Sequence, residues 1–141
     1  MPEKKIVEKA KTDLRQGKRP STAAGEFVHE EIEHIREGKH GARSTKQAIA
    51  IGLSKARRAG VPLPPPRQGT ATSRTRRSAE RDYETGRGRR KPSAPSKKRS
   101  KATSQALKRE PKSTASRAAL SSQARRAAAT RRRRAKADES E

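Results

Sequence analysis

The chain has 141 residues, with 38 Lys and Arg against 15 Asp and Glu, a formal net charge of +23, and no Cys. The lack of Cys excludes disulfides, thiol nucleophiles and Cys-based metal sites, and a hydrophobic content of 27% lies well below the globular norm. No apolar run reaches the length of a signal-peptide core or a membrane span, so the expectation is a cytoplasmic protein with no membrane partner.

The spacing predicts a first helix over residues 2–16. Ile6, Val7, Ala10 and Leu14 form one apolar stripe, Pro2 suits a first turn, and Gly17 can take the left-handed conformation that ends a helix. A second helix is predicted over 21–37. Ala24, Phe27, Val28, Ile32 and Ile35 recur at helical spacing, while Glu26, Glu30, Glu31 and Glu33 occupy the other faces. Ser21, after Pro20, is placed to cap the first amides, and Gly38 to stop the helix.

A third helix is predicted over 44–59. Ser44 and Gln47 have the spacing of a capping box, in which the Ser oxygen accepts from the third amide and the Gln reaches back. Ala48, Ile49, Ile51, Leu53 and Ala56 supply apolar surface, Gly60 and Val61 suit a helix end, and Pro62 blocks continuation. Ala48, Gly52 and Ala56 lie four residues apart, a stripe of small residues that lets another helix come close. A helical Gly costs about 1 kcal/mol against Ala, so Gly52 argues for a packing role. Leu14-Arg15-Gln16-Gly17-Lys18 recurs as Ile35-Arg36-Glu37-Gly38-Lys39, which reads as helix-stop chemistry used twice rather than as a duplication. With few large apolar side chains, these three helices are expected to form a loose unit over residues 1–61, stabilised by self-association or by a ligand.

Pro64-Pro65-Pro66 marks a stiff spacer over 62–66. From Arg67 to Glu141 there are 24 Lys and Arg against 7 Asp and Glu, or +17 of the total +23. Its only bulky apolar or aromatic residues are Tyr83, Leu107 and Leu120. Such a segment has little to offset the entropy of ordering its backbone. The predicted fold class is therefore mostly disordered, with a small all-α N-terminal region, no strands and a disordered basic tail over 67–141. Ala115 to Ala137 is rich enough in Ala and Arg to become helical once its charge is neutralised.

A solvated polycation finds polyanions, and nucleic acid is the expected partner. Candidate phosphate contacts in the tail are Arg76, Arg77, Arg89, Arg90, Lys91, Lys97, Lys98, Arg99 and Arg131, Arg132, Arg133 and Arg134. In the helical region they are Arg57 and Arg58 and the loop group Lys39, His40, Arg43 and Lys46, beside the free amides at the start of the third helix. The loop also carries the bare Gly-x-x-Gly pattern of KH domains at Gly38–Gly41, but the flanking strands of that fold are missing. It is not a P-loop, since no strand precedes it and Arg43 stands before Ser44. His29-Glu30 opens like a zincin helix, but Glu33 holds the place of the second His and His34 comes one residue late. These residues read as exposed helix positions paired with carboxylates, Glu30 with His34 among them. No metal site, no cofactor and no catalytic constellation is expected, so the chain does not read as an enzyme.

The stretch Gly25 to Gly60, with Glu37-Gly38-Lys39-His40-Gly41, Lys46-Gln47-Ala48-Ile49-Ala50-Ile51-Gly52-Leu53-Ser54 and Ala56-Arg57-Arg58-Ala59-Gly60, resembles a family of small basic bacterial proteins classed as a domain of unknown function. The resemblance implies a bacterial source and no established activity. Arg90 to Ala102 is similar in composition to linker-histone C-terminal tails. Together these features predict a histone-like, largely sequence-independent nucleic-acid binder, nucleoid-associated, favouring double-stranded DNA and also suited to structured RNA. The alternative is a helical interaction or dimerisation module, acting through Ala48, Gly52 and Ala56, whose tail only localises it.

Overall fold

The computed structural model describes residues 3–91 and 96–139. Pro2, expected in a first turn, lies outside the described residues, as do positions 92–95 of the tail and its last two residues. In chain order the helices are α1 (Lys4–Arg15), α2 (Pro20–Arg36), α3 (Thr45–Arg58), α4 (Ser73–Gly86), α5 (Lys97–Arg109) and α6 (Arg117–Glu139), with a 3-10 turn, Ser113–Ala115, before α6. Among the described residues there is no strand, only an isolated bridge between Gln68 and Ala71.

The local signals explain the ends of α1 to α3. Ser44 Oγ accepts from the Gln47 amide at 3.1 Å, and Gln47 Oε1 accepts from the Arg43 amide at 2.6 Å, a reciprocal pair of the capping-box kind. At the C-terminus of α2, Gly38 sits at φ +84°. Its amide donates to Ile35 at 3.1 Å and the Lys39 amide reaches back to His34 at 3.0 Å, the paired bonds of a Schellman ending. Gly60 closes α3 in the same way. One cap differs from expectation: Arg19, not Ser21, is the N-cap of α2, with no side-chain cap bond, because Pro20 already occupies the first turn with its fixed φ.

Two apolar clusters hold the helices together. Ala10, Ala23, Ala24, Phe27, Ala56 and Val61 form one, with Ile6, Val7, Leu14, Leu53, Ala59 and Leu63 around it. Ile32, Ile35, Ala42, Ala48 and Ala115 form the second, flanked by Val28 and Leu120. The Ala48/Gly52/Ala56 stripe is buried along the contact between α2 and α3. A Cβ on Gly52 would lie 2.6 Å from the Cα of Val28, so the backbones are as close as only Gly permits. That face is therefore covered within the chain and is closed to a second helix.

The second cluster overturns the expectation of a mostly disordered chain. The protein is a folded helical structure, and 72% of the described residues are helical. Ala115, from the basic half, is fully buried against Ile32, Ile35 and Ala48. Backbone bonds dock the same segment on the loop after α2: the Gly41 amide donates to the Leu107 carbonyl at 2.8 Å and the Ala42 amide to Pro111 at 3.1 Å. Thr45 Oγ1 donates to the Thr114 carbonyl at 2.7 Å, and Arg36 Nε to that of Ala115 at 2.9 Å. Counting bulky side chains understates such a segment. Alanine and arginine favour helix at little side-chain entropy cost, and the docking relies on main-chain groups that composition does not register. On the other side α4 lies against α3. Ala79 is buried, Ser54 Oγ donates to Asp82 Oδ2 at 2.7 Å, and Gly86 meets the Arg57 carbonyl so closely that a Cβ has no room.

Candidate nucleic-acid interface

Exposed cations are dense on both α5 and α6. On α6, Arg125, Arg126, Arg131, Arg132, Arg133, Arg134 and Lys136 are all exposed. Lys46, exposed in the first turn of α3, stands beside this helix. Together with Arg126, Thr130, Arg132, Arg133 and Lys136 it lines one open groove, and with Gln123, Arg126, Thr130, Arg131 and Arg134 another. Neither groove contains a carboxylate. Arg126, Thr130 and Arg133 share one face of α6, with Arg131 and Arg134 on one flank of it and Arg132 and Lys136 on the other, so the two grooves run along both sides of that face. Arg134 also donates to the Thr70 carbonyl at 3.3 Å, tying this part of α6 to the turn before α4.

The other expected contacts separate into exposed and engaged residues. Arg77, Arg90, Lys91 and, on the first turn of α5, Lys97, Lys98 and Arg99 are exposed. Arg89 pairs with Glu84 at 3.5 Å, Arg58 with Asp82 at 3.7 Å and Lys39 with Glu37 at 3.4 Å, each on an exposed cation. Arg76 is half-buried and donates to the Pro66 carbonyl at 3.3 Å. Arg57 is buried, donating to the carbonyls of Leu63 and Pro64, both at 3.1 Å. It fixes the start of the proline spacer instead of facing solvent. Burial lowers its pKa from the ordinary arginine value, against the opposing field of Asp82.

The loop before α3 is used from within. The Gly41 and Ala42 amides are taken up by Leu107 and Pro111, and the Gln47 and Arg43 amides by the capping pair. Arg43 and Lys46 stay exposed, whereas His40 turns inward. His40 Nδ1 meets the Gly41 carbonyl at 2.8 Å, and its Nε2 meets Glu31 Oε2 at 3.1 Å. Glu31 is fully buried; Lys55 donates to its Oε1, and His34 Nδ1 lies 3.7 Å from that oxygen. Glu30 is also buried, with neither carboxylate oxygen hydrogen-bonded and His34 Nε2 at 3.6 Å.

The expectation that the residues of the His29-Glu30 to Glu33-His34 pattern are exposed thus fails for Glu30, which is buried, and for Glu33 and His34, which are half-buried, and holds for His29. Helical periodicity did assign α2 a buried stripe, but the loop and α3 cover a wider arc than that stripe, and Glu30 and Glu31 fall inside it. The presence of Lys55 on α3 as a partner for Glu31 has no signature in local sequence, because it depends on how the helices cross.

Among the described residues, no helix is long and apolar enough to cross a membrane. A model of a family of unknown function, DUF6496, matches residues 4–67, that is α1 to α3 and the proline spacer. No curated protein and no solved structure matches the chain.

Proposed function

We propose that this protein is a non-enzymatic, histone-like nucleic-acid binder that neutralises phosphates largely without reading sequence, in a bacterial cytoplasm and on the nucleoid. The observation that carries the reading is the carboxylate-free pair of grooves where Lys46 meets the arginines of α6. Duplex DNA presents one charge per about 1.7 Å, so a net +17 from residue 67 onward balances about 29 Å of duplex. Base stacking of the single-strand kind lacks a platform: Tyr83, the one aromatic residue of that half, is half-buried with the Arg87 guanidinium 5.3 Å from its ring centre. Double-stranded DNA is the favoured partner, with structured RNA second. The interaction-module alternative is less favoured, because Ala48, Gly52 and Ala56 pack on α2.

The test is duplex binding by fluorescence anisotropy across a salt series, with the full-length chain and a variant carrying Arg126→Ala and Arg131→Ala through Arg134→Ala. Each phosphate contact contributes about −0.9 to the slope of log affinity on log salt, so five lost contacts flatten it by about 4–5. Alanine keeps the helix, so circular dichroism should match wild type. A slope that does not change removes α6 as the binding element.

A further inference from the structure

His40 poses a bonding problem. A carbonyl only accepts, so Nδ1 must carry the proton toward Gly41. In the neutral ring that leaves a bare lone pair on Nε2, directed at the Glu31 carboxylate 3.1 Å away. The contact is made either by a second ring proton on Nε2 that donates to Glu31 or by a metal ion that both atoms bind from one side. The neighbourhood has a deficit of positive charge. Glu30 and Glu31 bring two buried carboxylates, and Lys55 supplies one ammonium, engaged on Glu31 Oε1. Glu30 has no hydrogen-bond donor at all. A buried carboxylate without a hydrogen bond, its basic neighbour His34 still 3.6 Å away, is costly enough that a cation is expected to accompany it.

We infer that Glu31, His34 and His40 bind a divalent transition-metal ion, zinc by their donor set, with Glu30 as the carboxylate that orients His34. One donor atom from each of the three ligands lies within 4.8 Å of the others. Zinc bonds of about 2.0–2.1 Å place tetrahedral donors roughly 3.4 Å apart. Glu31 Oε2 lies 3.1 Å from His40 Nε2, and its other oxygen, Oε1, lies 3.7 Å from His34 Nδ1, so the carboxylate faces both rings at about that distance. The backing groups match those of metal-bound histidines, which pass their second ring proton to a carbonyl or carboxylate. His40 has the Gly41 carbonyl at 2.8 Å, and His34 Nε2 has Glu30 Oε1 at 3.6 Å, where a modest approach completes the bond. Two imidazoles with one carboxylate suit zinc better than magnesium or calcium, which prefer oxygen alone. The fourth position falls to water. Since His40 and Gly41 begin the loop on which residues 107–115 dock, the ion would clamp that loop to α2.

The test uses full-length protein stripped of nucleic acid and metal, titrated with Zn²⁺ against a competing chelator and with Co²⁺ under visible spectroscopy. One ion per chain, cobalt ligand-field bands of a low-coordinate nitrogen–oxygen site, and a rise in Tm with Zn²⁺ are expected. His34→Ala with His40→Ala should abolish all three, and His29→Ala, on the exposed face, should change none. Wild type without stoichiometric binding or cobalt bands overturns the site, as does binding that survives the double variant or follows His29. If the double variant does not fold, the wild-type and His29→Ala cobalt spectra decide alone, because intense bands retained without His29 leave His34 and His40 as the only histidines in the chain.

Discussion

Residues before and after Arg67 are both helical and both basic, yet they use their side chains in opposite ways. The first part carries a net +6 and keeps much of its charge engaged. Lys18 pairs with Asp13 at 3.0 Å, Lys9 with Glu26 at 3.1 Å and Arg36 with Glu33 at 3.1 Å, and Lys55 pairs with the buried Glu31. The second part carries +17, and among the described residues α5 and α6 make no ion pair. Its buried apolar residues are two alanines, Ala79 and Ala115, where the first part has Phe27, Ile32, Ile35 and Val61. Helix content and core membership are thus separate properties. One half is helical because it packs; in the other, α4 packs on α3, while α5 and α6 are helical by propensity and capping and are moored at a few main-chain bonds.

If that division is right, the largest loss comes from the packed half. Phe27 is 1% exposed and joins α1, α2 and α3 in the first cluster. Phe27→Ala should cost about 3–5 kcal/mol, read as a lowered denaturation midpoint, with α1 to α3 melting together. A loss much under 1 kcal/mol would mean that the first cluster is not a core. A smaller effect should come from the mooring. A Cβ on Gly41 would collide with the Glu110 carbonyl, so Gly41→Leu should cost about 1–3 kcal/mol by overpacking. Hydrogen exchange should show amides of residues 113–120 losing protection while α1 to α3 keep theirs. Equal loss in both halves would show one cooperative unit instead of a core with an appendage.

The smallest effect is electrostatic. A hydrogen bond from Lys18 holds the Asp13 carboxyl below its ordinary pKa. A depressed folded-state pKa contributes stability that is complete above the unfolded-state value, and that is lost as pH falls from there through the folded one. Asp13→Asn should therefore reduce stability slightly at neutral pH and flatten its decline in acid, as read by thermal melts across a pH series.

The parts of this molecule that could be read from sequence are those encoded locally. Ser44 with Gln47 and the glycines at 17, 38 and 60 place the ends of three helices within two residues. Gly52 announces a close approach because helical glycine has a cost that packing must offset. What could not be read depends on partners distant in sequence. Ala115 looks like any alanine until Ile35 is above it. Arg57, in a basic pair with Arg58, looks like a surface cation, yet only Arg58 is one; the carbonyls of Leu63 and Pro64 draw the other inward. His40 was placed in the right loop but on the wrong side of it, because nothing in Gly38 to Arg43 reveals that Glu31 lies beneath. The order of the basic half is hidden for the same reason: it depends on carbonyls presented to the amides of Gly41 and Ala42.

The length of α6 sets a scale for whatever it touches. Its 23 residues, at about 1.5 Å each, make a rod of about 35 Å, close to one turn of duplex, about 34–36 Å. A straight rod cannot follow a groove that winds away from it, so on the proposed reading each chain would reach phosphates along a single turn. The shortest duplex able to span that helix would therefore be about ten base pairs, and extending it further would add sites for more copies rather than tighter grip by one.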